Sequence, residues 1–139
     1  MKKDVYISIK GLQELDGESD NIEMTTEGRF YDKDGKYYLS YIEGELTGLD
    51  KCTTTLKVSP DGTVTMMRHG QTNTHMIFEK GKCHIGHYET PYGDFTISVT
   101  ANDINVSLDE NGGNIDIDYI MDINNISCSH NGISLTVRA

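Results

Sequence analysis

In Val64-Thr65-Met66-Met67-Arg68, Arg68 shares parity with Val64 and Met66. Residues two apart on a β-strand face the same side, so an inward Val64 implies an inward Arg68. A guanidinium among apolar neighbours is costly unless a counter-ion accompanies it. Glu43, which shares parity with Leu39 and Tyr41, is the candidate partner, and Tyr41, Tyr88 and Tyr119 are candidate hydroxyl donors. Met76 and Phe78 add apolar lining. Such a set suits a small, partly apolar, anionic ligand: Arg68 would bind a carboxylate or carbonyl oxygen, with Glu43 fixing the guanidinium. The same residues also make sense as a structural ion pair that binds nothing.

Two other functions compete with interior binding. An enzyme would use Glu43 or His84 as general base and Arg68 to stabilise developing negative charge. An interaction module would present Tyr31, Tyr37, Tyr38 and Tyr92 to a protein partner around a merely packed core. There is no Gly-x-Ser-x-Gly elbow, phosphate-binding glycine loop or dinucleotide fingerprint, so no catalytic residue and no cofactor is assigned. Asp32, Asp34 and Glu43 match the first, third and twelfth positions of a calcium loop. Lys36 stands at the fifth, however, and Gly35 comes two places early, which makes a hairpin turn the better reading. His84 and His87 fall on opposite faces of a strand, and Cys83 and His87 are about 13 Å apart along it, so neither pair holds one metal ion.

The elements that must position these side chains are strands. Val5 to Lys10, Phe95 to Thr100 and Ile104 to Leu108 alternate with period two and read as separate strands. Ile115-Asp116-Ile117-Asp118-Tyr119 is the clearest case, since its aspartates reach water only if the isoleucines and tyrosine point the other way. A short helical turn is placed near Gln13-Glu14-Leu15. Turns are predicted at Asp16-Gly17, Asp34-Gly35, Pro60-Asp61-Gly62, Lys80-Gly81, Pro91-Tyr92-Gly93, Asn111-Gly112-Gly113 and Asn131-Gly132. With no room for crossover helices, the chain predicts an all-β antiparallel up-and-down meander of about eight to ten strands, closed into a barrel. A two-sheet sandwich satisfies the same alternation. The 139 residues read as one domain, 1–139.

A formal net charge of −10 argues against nucleic acid and anionic membrane surfaces as partners. No run approaches the roughly 20 apolar residues of a membrane helix, and the first residues lack the apolar centre of a signal peptide. A cytoplasmic location is expected. Cys52, Cys83 and Cys128, odd in number and without paired spacing, read as buried thiols in a reducing compartment. The expected partner is therefore a small molecule.

The ordered set Tyr38-Leu39-Ser40-Tyr41-Ile42-Glu43, Arg68-His69-Gly70, Met76-Ile77-Phe78, Tyr88-Glu89-Thr90-Pro91-Tyr92-Gly93 and Ile117-Asp118-Tyr119 resembles the YwiB-like family of small bacterial proteins. The likeness runs from about Val5 to Val137. It implies a lipocalin-like, or calycin-like, β-barrel and carries over no activity or site residue. True lipocalins have a Gly-x-Trp signature near the first strand; this chain has no tryptophan, so their ligands are not transferred.

Overall fold

The computed structural model describes residues 2–15, 17–42, 52–70, 72–123 and 127–138. Ten strands follow in order among these residues. They are β1 (Lys2–Leu15), β2 (Glu18–Lys33), β3 (Lys36–Ile42), β4 (Thr53–Val58) and β5 (Val64–His69), then β6 (Asn73–Phe78), β7 (Cys83–Thr90), β8 (Gly93–Asp109), β9 (Gly112–Ile123) and β10 (Ser127–Arg138). Each pairs antiparallel with its neighbours in sequence, and β1 pairs with β10, which closes the sheet. The predicted up-and-down meander is thus a closed barrel and not a sandwich. Closure removes both sheet edges and gives every strand one interior face. No helix among the described residues is long and apolar enough to cross a membrane.

Alternation sorts the side chains as the sequence implies. Val5, Ile7 and Ile9 of β1, Val64 and Met66 of β5, Ile115 and Ile117 of β9, and Leu135 and Val137 of β10 are buried. Asp116 points outward. Asp34 (φ 54°) and Gly35 (φ 79°) turn β2 into β3, two positive φ angles in succession as a tight hairpin of primed type requires. Near that hairpin Phe30 stacks on Tyr37 with ring centroids 5.4 Å apart. The space among Phe30, Leu39, Val58, Leu108, Ile115 and Val137 has no room for a water molecule, so these side chains are in close contact.

Four local expectations are corrected. The two runs at Phe95 and Ile104 belong to one strand, β8, in which Ala101 faces Tyr119 and Asp103 faces Asp118. Asn102 is therefore an extra residue, a bulge that moves the interior parity from Ile97, Val99 and Ala101 to Ile104, Val106 and Leu108. Gln13-Glu14-Leu15 is not helical: Gln13 pairs with Asp20 of β2 and Asn131 of β10. Asn131-Gly132 is not a turn but the middle of β10, held by pairing on both sides. Of the three cysteines only Cys52 is buried; Cys83 and Cys128 are exposed because their parity is that of the outer face.

Candidate functional site

Strand register sets Arg68 in a row that crosses five strands. Tyr41 of β3 faces Thr54 of β4, Thr54 faces Arg68 of β5, Arg68 faces Thr74 of β6, and Thr74 faces Tyr88 of β7. Directly opposed residues share a face of the sheet. Tyr41, Thr54 and Thr74 are buried, so the row points into the barrel, with Arg68 partly accessible. Tyr88 in turn faces Phe95 of β8, their ring centroids 6.4 Å apart. These positions lie near the strand ends remote from the Phe30–Tyr37 stack, and the row lines that opposite end of the interior.

The row is held by specific bonds. Arg68 Nε donates to Thr54 Oγ1 at 3.3 Å, and Arg68, Thr54 and Tyr41 each have further partners. Tyr119 of β9 meets Phe78 edge to face, with centroids 4.7 Å apart. Burial pushes its phenol pKa up, and the positive charge of Arg68 opposes that shift, which keeps a protonated hydroxyl near the guanidinium. Asn131, opposite Tyr119, is buried and donates through Nδ2 to the Ser129 carbonyl at 3.2 Å and to Ser129 Oγ at 3.0 Å. Thr74 Oγ1 differs from these groups: it is buried without a hydrogen-bond partner. Thr54, Thr74, Ser129 and Asn131 are the buried polar residues among those described, and two of them, Thr54 and Thr74, flank Arg68.

The predicted site residues divide into three groups. Arg68, Tyr88 and Tyr119 line the polar end and keep accessible surface. Tyr41, Met76 and Phe78 are 3%, 4% and 0% exposed: Tyr41 is packed within the row, and Met76 and Phe78 continue inward from Thr74 along β6. Met76 faces Met66 across the sheet in the next interior pair below Arg68 and Thr74. Glu43 lies outside the described residues. His84 does not join Arg68: it precedes Tyr88 by four residues, about 13 Å along β7, and its Nε2 is 2.9 Å from Glu79 Oε1. The hydrogen bonds from His84 and then Lys82 hold the Glu79 carboxyl below its usual pKa. The base-and-arginine pair expected of an enzyme with His84 is therefore not assembled.

Sequence reasoning missed Thr54, Thr74, Phe95, Ser129 and Asn131. The parity rule that marked Arg68 would have found most of them, since Thr54 is in phase with Leu56 and Val58, Thr74 with Met76 and Phe78, and Asn131 with Leu135 and Val137. The four surface tyrosines do not form one patch: Tyr31 and Tyr38 stack outside at 4.9 Å, Tyr37 turns inward onto Phe30, and Tyr92 stands at a turn, 96% exposed. An outer groove of about 300 Å³ is lined by Lys10, Leu12, Asp103, Asp116, Asp118 and Gly132. Its carboxylates already have partners in Lys80, Asn105, Ser134 and His130. No group of three or more His, Cys, Asp or Glu side chains suited to a metal ion occurs among the described residues.

Comparison with known proteins gives three findings. A family model described as "Domain of unknown function (DUF1934)" matches residues 7–135. The chain is 35% identical over 119 residues to the "Uncharacterized beta-barrel protein YwiB" of Bacillus subtilis (strain 168), covering 86% of this chain and 82% of that protein. The crystal structure of the ywiB protein from Bacillus subtilis superposes with a TM-score of 0.88 at 30% identity, over 99% of this chain and 92% of that one.

Proposed function

The chain belongs to the DUF1934 family, and from that premise we propose that its barrel is a non-enzymatic binder of one small, partly apolar, anionic molecule at the Arg68 end of the interior. The observation that carries this reading is Thr74 Oγ1, a hydroxyl buried beside a cation with nothing to bond. A buried polar group without a partner is destabilising and uncommon, and a ligand oxygen would satisfy it. The rest of the lining fits. Arg68 supplies a guanidinium whose Nε is held by Thr54, Tyr119 supplies a hydroxyl, and Tyr88 with Phe95 forms an aromatic wall. Small-molecule sites combine apolar walls with a few placed polar groups in this way.

Two-dimensional NMR of the labelled protein, titrated with the low-molecular-weight fraction of a bacterial extract, tests the reading. Shift changes confined to Thr54, Arg68, Thr74, Tyr88 and Tyr119 are expected. Changes at the outer groove around Lys10 and Asp116 alone would contradict it.

A further inference from the structure

We propose that Glu14, Cys128 and His130 bind a divalent transition-metal ion of the zinc class on the outer wall of the barrel, at the seam where β1 meets β10. The three side chains line one cavity of about 390 Å³. Pairing sets Glu14 of β1 directly opposite His130 of β10, and Cys128, two residues before His130, shares its outward face. Carboxylate, imidazole and thiolate are the donors that zinc takes. The imidazole is already oriented for the role. His130 Nε2 lies 2.5 Å from Asp118 Oδ1, and a proton donated from Nε2 to that carboxylate leaves Nδ1 of the neutral ring with a free lone pair. Nδ1 stands 3.7 Å from Glu14 Oε2, too far for a hydrogen bond. Bonds of about 2.0–2.2 Å to a tetrahedral ion separate its nitrogen and oxygen ligands by roughly 3.3–3.6 Å. The gap therefore fits an ion after a shift of a few tenths of an ångström. Asp118 is the positioning residue, since a carboxylate on the far nitrogen fixes the tautomer and ring orientation of a metal-ligating histidine.

A separate observation favours a cation here. Asp122 of β9 is directly opposite Cys128, and its Oδ1 is buried without a hydrogen-bond partner. Such an oxygen is costly to bury, and a neighbouring positive ion offsets the cost. Among the described residues no three His, Cys, Asp or Glu side chains yet stand in ligating geometry. His130 and Glu14 therefore take the ion first. Cys128, exposed and able to turn about χ1, follows as the thiolate and releases its proton to solvent, with water in the fourth position. Bound there, the ion ties β1 to β10 and stabilises the closed barrel by mass action.

Calorimetric titration of the full, untagged chain with zinc chloride, and absorption spectroscopy with cobalt chloride, test the site. One ion per chain is expected, with a thiolate-to-cobalt charge-transfer band and a melting temperature that rises with zinc concentration. Affinity should fall at least about tenfold in Glu14→Gln, Cys128→Ser and His130→Ala, and about 10–100-fold in Asp118→Asn, with Asp118→Glu restoring part of it. The Gln, Ser and Asn variants keep side-chain shape at half-exposed or exposed positions, which guards against misfolding. His75→Ala and Cys83→Ser, elsewhere on the outer face, should bind zinc as the parent does. Absence of saturable zinc binding overturns the site and leaves His130 as an ion-pair partner of Asp118 and Glu14. Loss of binding in His75→Ala with retention in His130→Ala overturns it as well. A cobalt spectrum unchanged by Cys128→Ser removes the thiolate and overturns the three-ligand set.

Discussion

Thr54 and Thr74 flank Arg68 on adjacent strands and are 0% and 4% exposed, yet valine at the two positions is expected to act with opposite sign. At Thr54 the hydroxyl accepts the Arg68 Nε proton at 3.3 Å, and Thr54→Val leaves part of a charged group unsatisfied. Hydrogen bonds to charged groups contribute about 1.5–3 kcal/mol, which sets the expected destabilisation. At Thr74 the hydroxyl has no partner, so Thr74→Val replaces an unsatisfied buried oxygen with a methyl group of similar size. Removing that desolvation penalty is expected to stabilise the empty protein by about 1–3 kcal/mol. For a chain of 139 residues, that corresponds to a rise in melting temperature of roughly 3–10 °C. Calorimetry and urea unfolding of both variants at neutral pH, with ligand stripped by a denaturation and refolding cycle, give the comparison. A loss of stability in Thr74→Val would mean that its hydroxyl is already satisfied, and the argument for a ligand there would fall.

Other consequences are independent of any ligand. A Cβ at Gly86 would lie 2.3 Å from the His75 carbonyl oxygen, whereas one at Gly11 would meet nothing within 4 Å. Gly86→Ala should cost about 1–3 kcal/mol in urea unfolding and Gly11→Ala less than about 0.5; equal effects would contradict the close β6–β7 approach. Because the Tyr119 pKa is raised above 10.0 in the folded state, folding favours its protonated form. Its contribution is complete below that value and is lost as pH rises through the folded pKa, so stability should fall more steeply above about pH 10 in the parent than in Tyr119→Phe. Parallel unfolding curves for the two proteins from roughly pH 9 to 11 would refute this. His84→Ala should let the Glu79 carboxyl return toward 4.5, read by carbon-detected NMR titration; an unmoved titration would remove His84 as the main cause of its lowered value.

The barrel was legible because period-two alternation is a direct physical requirement of a sheet with one dry face. The runs at Phe95 and Ile104 are out of phase by one residue, and that phase error is the bulge at Asn102 written in sequence; read as two strands, it hid the continuity of β8. Asn131-Gly132 carries turn chemistry but sits where β1 and β9 pair on either side, so tertiary pairing overrides local preference. Parity also placed Arg68 inside, since that inference needs only its own strand. It could not separate Arg68, Tyr88 and Tyr119, which retain accessible surface, from Met76 and Phe78, which do not. Depth along the barrel depends on register between strands, and the sequence of a single strand does not contain it. His84 was misplaced for the same reason: its face was readable, its distance from the Arg68 row was not.

Interior binding is tested most directly by native mass spectrometry of the full chain purified under mild conditions, alongside Arg68→Met prepared identically. The account predicts a small acidic adduct on the parent protein, released on denaturation and absent from the variant. Identical bare masses for both would contradict it.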